Sequence, residues 1–267
     1  MTGAPDPLYV KAREVLLDAL EALAPHRASL VLVGAQAIYL HTGEADVAVA
    51  PYTTDADLVI DPANLAARPP LGASLEARGF GPGDQPGQWL KEGVRVDLMV
   101  PEAVAGPGRR GVRLGPHGKR AARKARGLEG ALVDGEVREV ASLAGSPRHV
   151  KVMVAGPASL LVSKLHKLAE RRDEPGRLKD KDALDVFRIL RAVPTPRLAD
   201  TLRRLQKDPH AGMVTDEAIE HLRTLFGTPE ASGSGFAARA LEALEPEATI
   251  RASCAALSKD LLTALLR

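Results

Sequence analysis

The sequence predicts an α+β protein in which a mixed β-sheet domain, residues 1–156, precedes a helical domain, residues 157–267. Before residue 156, short apolar segments with strand-like composition alternate with turns rich in Gly, Pro and Asp. After residue 156, apolar residues recur every three or four positions, which is the spacing of a buried helix face. A sheet region followed by a run of helices is typical of the α+β class.

Composition excludes several classes of protein. The chain has 267 residues and is 45% hydrophobic, which is enough to bury a core. The single Cys254 cannot form an internal disulfide, which fits a reducing compartment. No apolar run reaches the roughly 18 residues of a membrane span, and the first residues lack the pattern of a signal peptide. We therefore expect a cytoplasmic protein that makes no membrane contact, whereas the net charge of +2 does not indicate a partner.

The sheet domain begins with a helix–strand–helix segment. Apolar residues at helical spacing predict an amphipathic helix over residues 8–23. Residues 29–33 form a short apolar strand, and Gly34 permits a sharp turn into a second helix, residues 35–41. A further strand is expected over residues 55–60.

The remaining elements of the sheet domain are predicted mainly from turn residues. Residues 71–78 are expected to form a helix, and residues 88–100 a hairpin turning at Glu92-Gly93. An Asp-Gly pair predicts a second hairpin over residues 132–137. Residues 150–154 are expected to form another strand.

The helical domain is predicted to begin at Pro157, because proline suits the first turn of a helix. That helix should end near Arg172, and another is expected over residues 180–191. Three or four more helices should follow, with breaks at residues 194–196, Pro209, residues 227–235 and Pro246.

Three aspartates are the first candidate site. Asp55 and Asp57 are two residues apart on one predicted strand, so their side chains project from the same face. Asp97 lies on the second strand of the predicted 88–100 hairpin. Adjacent carboxylates repel each other unless a cation lies between them, and Mg²⁺ prefers such oxygen ligands. The alternative interpretation is that these are surface carboxylates at strand ends.

The strand–Gly–helix segment suits the same chemistry. A helix that opens at Gly34-Ala35 offers free backbone N–H groups and its positive end to a phosphate. Together with the three aspartates, this predicts a metal-dependent phosphoryl or nucleotidyl transfer site. Asp97 would complete a metal position or act as a base toward an acceptor hydroxyl.

These residues resemble the nucleotidyltransferase superfamily, specifically its minimal and AbiEii-like members, which include toxins of type IV toxin–antitoxin systems. The resemblance rests on the segment from Gly34 to His41, on Thr54-x-Asp55-x-Asp57 and on Val96-Asp97-Leu98. It implies a nucleotidyltransferase-like sheet domain, an NTP substrate, Mg²⁺ or Mn²⁺, and transfer of an NMP to tRNA or protein. It also implies nucleotide contacts from Gly34, Ala35 and Thr54, and a cognate antitoxin as a partner.

The resemblance extends to two downstream motifs and spans roughly residues 28–192. Lys164 on a predicted helix is the candidate for a phosphate-binding lysine. Asp182 and Asp185, three apart on the next helix, share one face and would orient that lysine or the nucleotide. The alternative is an ordinary interhelical ion pair, which would not indicate activity.

Two departures from the family pattern matter. Gly34-Ala35 replaces the usual Gly-Gly or Gly-Ser, so a phosphate-binding hydroxyl is missing. Pro51-Tyr52 stands where an Arg often precedes the Thr-x-Asp-x-Asp motif, which affects the choice of acceptor or nucleotide.

A basic tract between residues 109 and 126 contains no acidic residue. Such a tract attracts the phosphates of a nucleic-acid acceptor such as tRNA, or else it is an ordinary solvated surface. Its members are Arg109, Arg110, Arg113, Lys119, Arg120, Arg123, Lys124 and Arg126. Two rival functions stay open: transfer to a small molecule such as an antibiotic, and nucleotide binding without catalysis.

Overall fold

The computed structural model describes residues 5–43, 52–107, 110–173, 176, 178–242 and 244–267. The chain divides into two units. The sheet unit comprises Met1–Ala37 and Pro51–Ala155, and the helical unit comprises Ile38–Ala50 and Gly156–Arg267. None of the helices in these described ranges has the length and hydrophobicity needed to span a membrane.

In its described part, the sheet unit contains one mixed sheet with the strand order β3-β4-β5-β2-β1-β8-β7, and β6 pairs with β5. The strands are β1 Leu30–Val33, β2 Asp55–Ile60, β3 Gly81–Pro82, β4 Gln88–Lys91, β5 Val94–Pro101, β6 Arg123–Ala125, β7 Gly135–Ala141 and β8 His149–Ala155. β2 runs parallel to β5 and antiparallel to β1. The prediction of an α+β fold with a mixed sheet before a helical region is confirmed.

The helices are α1 Pro7–Ala22, α2 Gly34–Thr42, α3 Leu71–Glu76, α4 Pro157–Arg171, α5 Leu178–Ala192, α6 Thr195–Gln206, α7 Gly212–Phe226, α8 Ser232–Ala240 and α9 Glu247–Leu265. Asp6 begins α1 by accepting a hydrogen bond from Leu8 N at 2.8 Å, a typical N-cap. Within the sheet unit α1 packs on β2, β5 and β8. α4 to α9 form the helical unit's bundle.

Two elements differ from the sequence-based expectation. The hairpin predicted over residues 132–137 is wrong: a 3₁₀ turn ends at Leu132, and Gly135 begins β7, which pairs with β8. Asp134 N donates to the carbonyl of Gly130 at 2.8 Å, so the Asp-Gly pair ends a helical turn instead of joining two strands. The predicted break over residues 227–235 is too long, because α8 already begins at Ser232.

Candidate active site

The three aspartates lie on two neighbouring strands of the sheet unit. In the parallel register of β2 and β5, Asp57 lies opposite Asp97, and Asp55 lies opposite Arg95. Side chains at these alternating positions share one face of the sheet. Asp57 and Asp97 are almost completely buried, whereas Asp55 is partly exposed. We call Asp55, Asp57 and Asp97 the acidic cluster.

Gly34 brings the start of α2 against this cluster. Val33, the last residue of β1, lies opposite Asp57. Gly34 has a φ of +70°, and a Cβ atom there would lie 2.2 Å from Oδ2 of Asp57. No other residue fits both the backbone conformation and the space. The glycine therefore allows the start of the helix to approach the carboxylate closely.

Two arginines compensate the charge of the acidic cluster. Arg95 contacts Oδ2 of Asp55 at 3.3 Å and Oδ1 of Asp97 at 3.4 Å. Arg123, on β6, donates to Oδ2 of Asp97 at 3.2 Å. The Oδ1 atom of Asp97 is buried and accepts no hydrogen bond from the described residues. Buried carboxylates require a nearby positive charge, and here the guanidinium groups supply it.

Further hydrogen bonds fix the position of Asp55. Thr53 is buried, and its hydroxyl donates to Oδ1 of Asp55 at 2.6 Å, whereas the predicted nucleotide contact Thr54 is exposed. Gln36, in the first turn of α2, donates to the backbone carbonyl of Asp55 at 3.1 Å. Arg13 on α1 in turn donates to Gln36 at 2.8 Å. Asp55 is thus held both through its carboxylate, by Thr53, and through its backbone carbonyl, by Gln36.

The donor chemistry of the acidic cluster fits Mg²⁺ or Mn²⁺, because both ions take carboxylate oxygens. Oδ1 of Asp97 is a further reason, since it has the 3.4 Å contact with Arg95 but accepts no hydrogen bond from the described residues, and a cation would satisfy it. Among the described residues, however, no three His, Cys, Asp or Glu side chains converge as a metal centre. Arg95 and Arg123 would therefore have to move for the three carboxylates to share a cation.

The second predicted motif forms a buried ion-pair cluster in the helical unit. The ammonium of Lys164, on α4, contacts Oδ1 of Asp182 at 2.8 Å and Oδ2 of Asp185 at 2.7 Å. Both aspartates lie on α5, and Arg171 contacts the other oxygen of Asp182 at 2.8 Å. Lys164, Asp182 and Asp185 are at most 4% exposed. We call these three residues the lysine–aspartate cluster.

The charges in the lysine–aspartate cluster stabilise one another. Burial alone would lower the pKa of Lys164, but Asp182 and Asp185 outweigh it and hold that pKa well above its usual value. Burial likewise opposes ionisation of Asp182, but chiefly the charge of Lys164 lowers the pKa of that carboxyl to about 2. Lys164 and Asp182 are therefore both charged near neutral pH. This arrangement is compatible both with a phosphate-binding lysine and with an interhelical ion pair.

The basic tract divides into residues with different partners. Arg123 binds the acidic cluster, and Arg126 pairs with Glu102 at 3.1 Å. The Lys124 ammonium donates to the backbone carbonyl of Gly106. A cavity is lined by four others, namely Arg110, Arg113, Lys119 and Arg120. Arg109 lies outside the described residues.

Sequence reasoning missed Arg95 and Thr53 and assigned Arg123 only to the basic tract. Arg95 had a detectable signal, because it lies two residues before Asp97 on an alternating strand and must share its face. The contact of Arg123 depends on the pairing of β6 with β5, which no local pattern specifies. Gly34, Asp57 and Asp97 are brought together as expected, and Ala35 lies in the first turn of α2.

A mixed sheet that carries clustered carboxylates beside a strand–Gly–helix turn is typical of enzymes that act on nucleoside triphosphates. A family model described as nucleotidyltransferase matches residues 12–208, which is well over half of the chain. The chain therefore belongs to the nucleotidyltransferase family, whose members transfer an NMP from an NTP substrate. No curated protein matches the sequence significantly.

Proposed function

We propose that the protein is a Mg²⁺-dependent nucleotidyltransferase of the AbiEii-like kind, which acts in the cytoplasm on a macromolecular acceptor, tRNA or protein. The observation that carries this proposal is the register of β2 and β5, in which Asp57 lies beside Asp97 and against Gly34. In this proposal an acceptor hydroxyl attacks the α-phosphorus of the NTP. The new P–O bond forms as the bond to the bridging oxygen breaks, and pyrophosphate leaves.

The acidic cluster would hold the metal ion. A bound Mg²⁺ or Mn²⁺ supplies charge neutralisation at the triphosphate. Asp57 and Asp97 face each other across adjacent strands. Asp55, two residues from Asp57, would be the third ligand, fixed by Thr53. Asp97 has an alternative role, in which it accepts the proton of the attacking hydroxyl.

The triphosphate would lie at the start of α2. Backbone N–H groups at Gly34 and Ala35 would point toward it, with the positive helix end behind them. Arg95 and Arg123 would exchange their carboxylate partners for the phosphates once a metal ion neutralises the acidic cluster, because each guanidinium needs an anionic partner. This exchange would compensate for the hydroxyl that Ala35 lacks. The exposed Thr54, which immediately precedes β2, would contact the nucleotide.

In the same proposal, Lys164 contacts a phosphate, while Asp182 and Asp185 orient that lysine. The high pKa of Lys164 supports a permanent positive charge there. The two short contacts to aspartates support equally the alternative of a purely interhelical ion pair. The two roles differ in their effect on activity: replacing all three side chains by uncharged ones would abolish transfer if Lys164 contacts a phosphate, but would leave transfer intact if the cluster is only an interhelical ion pair.

The choice of acceptor separates the rival functions. A cationic small molecule such as an aminoglycoside would require an acidic pocket, whereas the cavity in the sheet unit is lined by four basic residues. A non-catalytic nucleotide-binding protein would have no need of three carboxylates, although Ala35 weakly favours that function. If the acceptor is an essential RNA or protein, expression would stop growth, and a cognate antitoxin would restore it.

Label transfer tests the proposal. The purified protein is incubated with each α-³²P-labelled NTP and Mg²⁺, in separate reactions with total tRNA, with protein lysate and with neither. We expect label on one acceptor class, and we expect Asp57→Ala to abolish it. The enzymatic proposal fails if the wild type labels neither acceptor with any of the four nucleotides. Labelling of an aminoglycoside alone would move the conclusion to the small-molecule function.

A further inference from the structure

The chain after β5 includes a structured arm, residues 110–124, which ends within β6 and which we call the basic arm. Its two sides are joined by backbone hydrogen bonds from Val112 N to Ala122 O, 3.2 Å, and from Lys124 N to Arg110 O, 2.8 Å. Val112 is buried. At the tip, His117 accepts a hydrogen bond from Leu71 N at 3.1 Å. The basic side chains therefore project from a fixed backbone.

The basic arm encloses one side of a cavity of about 280 Å³. Among the residues that the structure describes, its lining contains four cations and no carboxylate; these residues are Pro86, Pro107, Arg110, Gly111, Arg113, Lys119 and Arg120. Gly111 is required because a Cβ atom there would lie 2.4 Å from the carbonyl of Lys119. Arg113 and Lys119 are exposed and make no ion pair or hydrogen bond with the described residues. Their charge is available to an anion.

The chemistry of the lining favours a phosphate backbone over other anions. Arginines and lysines in an acid-free cleft bind phosphates through charge-assisted hydrogen bonds. Among the described lining residues there is no aromatic side chain on which a base could stack, and the apolar side chains are two prolines, so the cavity could not read bases. An acidic protein segment would normally add apolar anchors, for which the lining offers little.

The basic arm also connects the cavity to the acidic cluster. Arg120 lines the cavity, and Arg123, three residues later, contacts Asp97. Three residues span at most about 11 Å, even when fully extended. An RNA bound in the cavity would therefore lie close to the carboxylates.

We propose that this cavity is an RNA-docking site, which binds the phosphate backbone of an acceptor RNA without reading its sequence. That the bound RNA is the acceptor rests on the proposed function, whereas the binding itself does not. The site differs from the NTP position at α2, because the described residues of its lining include neither Gly34 nor Arg123 nor any member of the acidic cluster. Arg113 and Lys119 provide the contacts, and Arg110 and Arg120, which also bond to Gln85 and to backbone carbonyls, form its wall.

Fluorescence anisotropy with labelled tRNA and with a labelled 20-nucleotide RNA tests this site. The double variant Arg113→Gln/Lys119→Gln should weaken binding roughly tenfold at 0.15 M salt and lower the salt slope by about 1.4, since each lost phosphate contact contributes about 0.7. The matched control is Arg197→Gln/Lys259→Gln in the helical unit, which removes the same two charges from exposed residues without described partners. It should bind RNA as the wild type does.

Three outcomes would overturn the proposal. In the first, both double variants weaken binding equally, which is a general effect of charge. In the second, Arg113→Gln/Lys119→Gln keeps its RNA affinity but loses affinity for NTP, which assigns the cavity to the triphosphate. In the third, Arg113→Gln/Lys119→Gln changes neither RNA affinity nor NTP affinity, and thermal unfolding shows that the variant is folded. Asp57→Asn separates this site from the proposed function, because it should lose transfer while keeping full RNA affinity.

Discussion

Replacing Lys164 with Met tests whether the lysine–aspartate cluster has only a structural role. Lys164 is buried, and its ammonium contacts Asp182 and Asp185 at 2.8 and 2.7 Å. Met is similar in length and apolar, so it fills the space without the charge. Two buried carboxylates then lose their main cation, although Arg171 still contacts Asp182.

Removing one partner from a buried ion pair typically costs about 3–5 kcal/mol, because the remaining charge stays buried without compensation. For a chain of this size each kcal/mol lowers Tm by about 2–4 °C, so we expect a decrease of roughly 10 °C. Lys167→Met is the matched control: it removes the same charge from the same helix at a half-buried position. Its Tm should change by no more than about 3 °C.

Thermal unfolding by circular dichroism measures both variants. A triple variant, Lys164→Met with Asp182→Asn and Asp185→Asn, removes the charges together and should recover most of the lost Tm. A stable triple variant without transferase activity supports the phosphate contact of Lys164, whereas a stable and active one leaves only the interhelical ion pair. If Lys164→Met unfolds within 1 °C of the wild type, the buried cluster does not exist as described.

The remaining predictions concern one glycine, one carboxyl and one arginine. Gly34→Ala should abolish transferase activity, because its Cβ would displace the Asp57 carboxylate; Gly79→Ala, with a similar φ of +81° but no atom within 4 Å, should cost only about 1 kcal/mol of stability and keep activity. The pKa of Asp182 is lowered from 3.8 to about 2, so its contribution of about 2 kcal/mol is complete above pH 4 and is lost as the pH falls toward 2; urea unfolding at pH 5 and pH 2.5 measures this loss. Arg123→Gln should raise Mn²⁺ affinity several-fold in calorimetric titration, because it removes a competing cation, and an unchanged affinity would mean that Arg123 does not occupy the metal position.

Local sequence predicted the part of the candidate site that depends on short-range rules. The apolar run before Gly34 and the period-two spacing of Asp55 and Asp57 each specify a local backbone shape. The sequence also predicted the turn at Glu92-Gly93, because glycine readily adopts the positive φ of a two-residue hairpin turn. In the structure both residues have positive φ and join β4 to β5. These elements place the carboxylates on one face of the sheet.

The parts of the fold and of the site that the sequence did not predict depend on which strands pair. The Asp-Gly pair at residues 134–135 has the composition of a hairpin turn, but β7 pairs with β8 after a turn over residues 142–148. The same reason explains Arg123, whose partner Asp97 lies on a strand 26 residues earlier. A local pattern gives no information on such distant partners, since several registers satisfy it.

Binding of Mn²⁺ in the presence of a non-hydrolysable NTP is the most direct test of the acidic cluster. Titration calorimetry would compare the wild type with Asp57→Asn and with the control Asp61→Asn, whose carboxylate caps a short turn and accepts a hydrogen bond from the Asn64 side chain. A metal site at the acidic cluster predicts one or two Mn²⁺ ions bound to the wild type and to Asp61→Asn, and at least a tenfold loss of affinity in Asp57→Asn. Absence of Mn²⁺ and Mg²⁺ binding to the wild type, with nucleotide present, would contradict it.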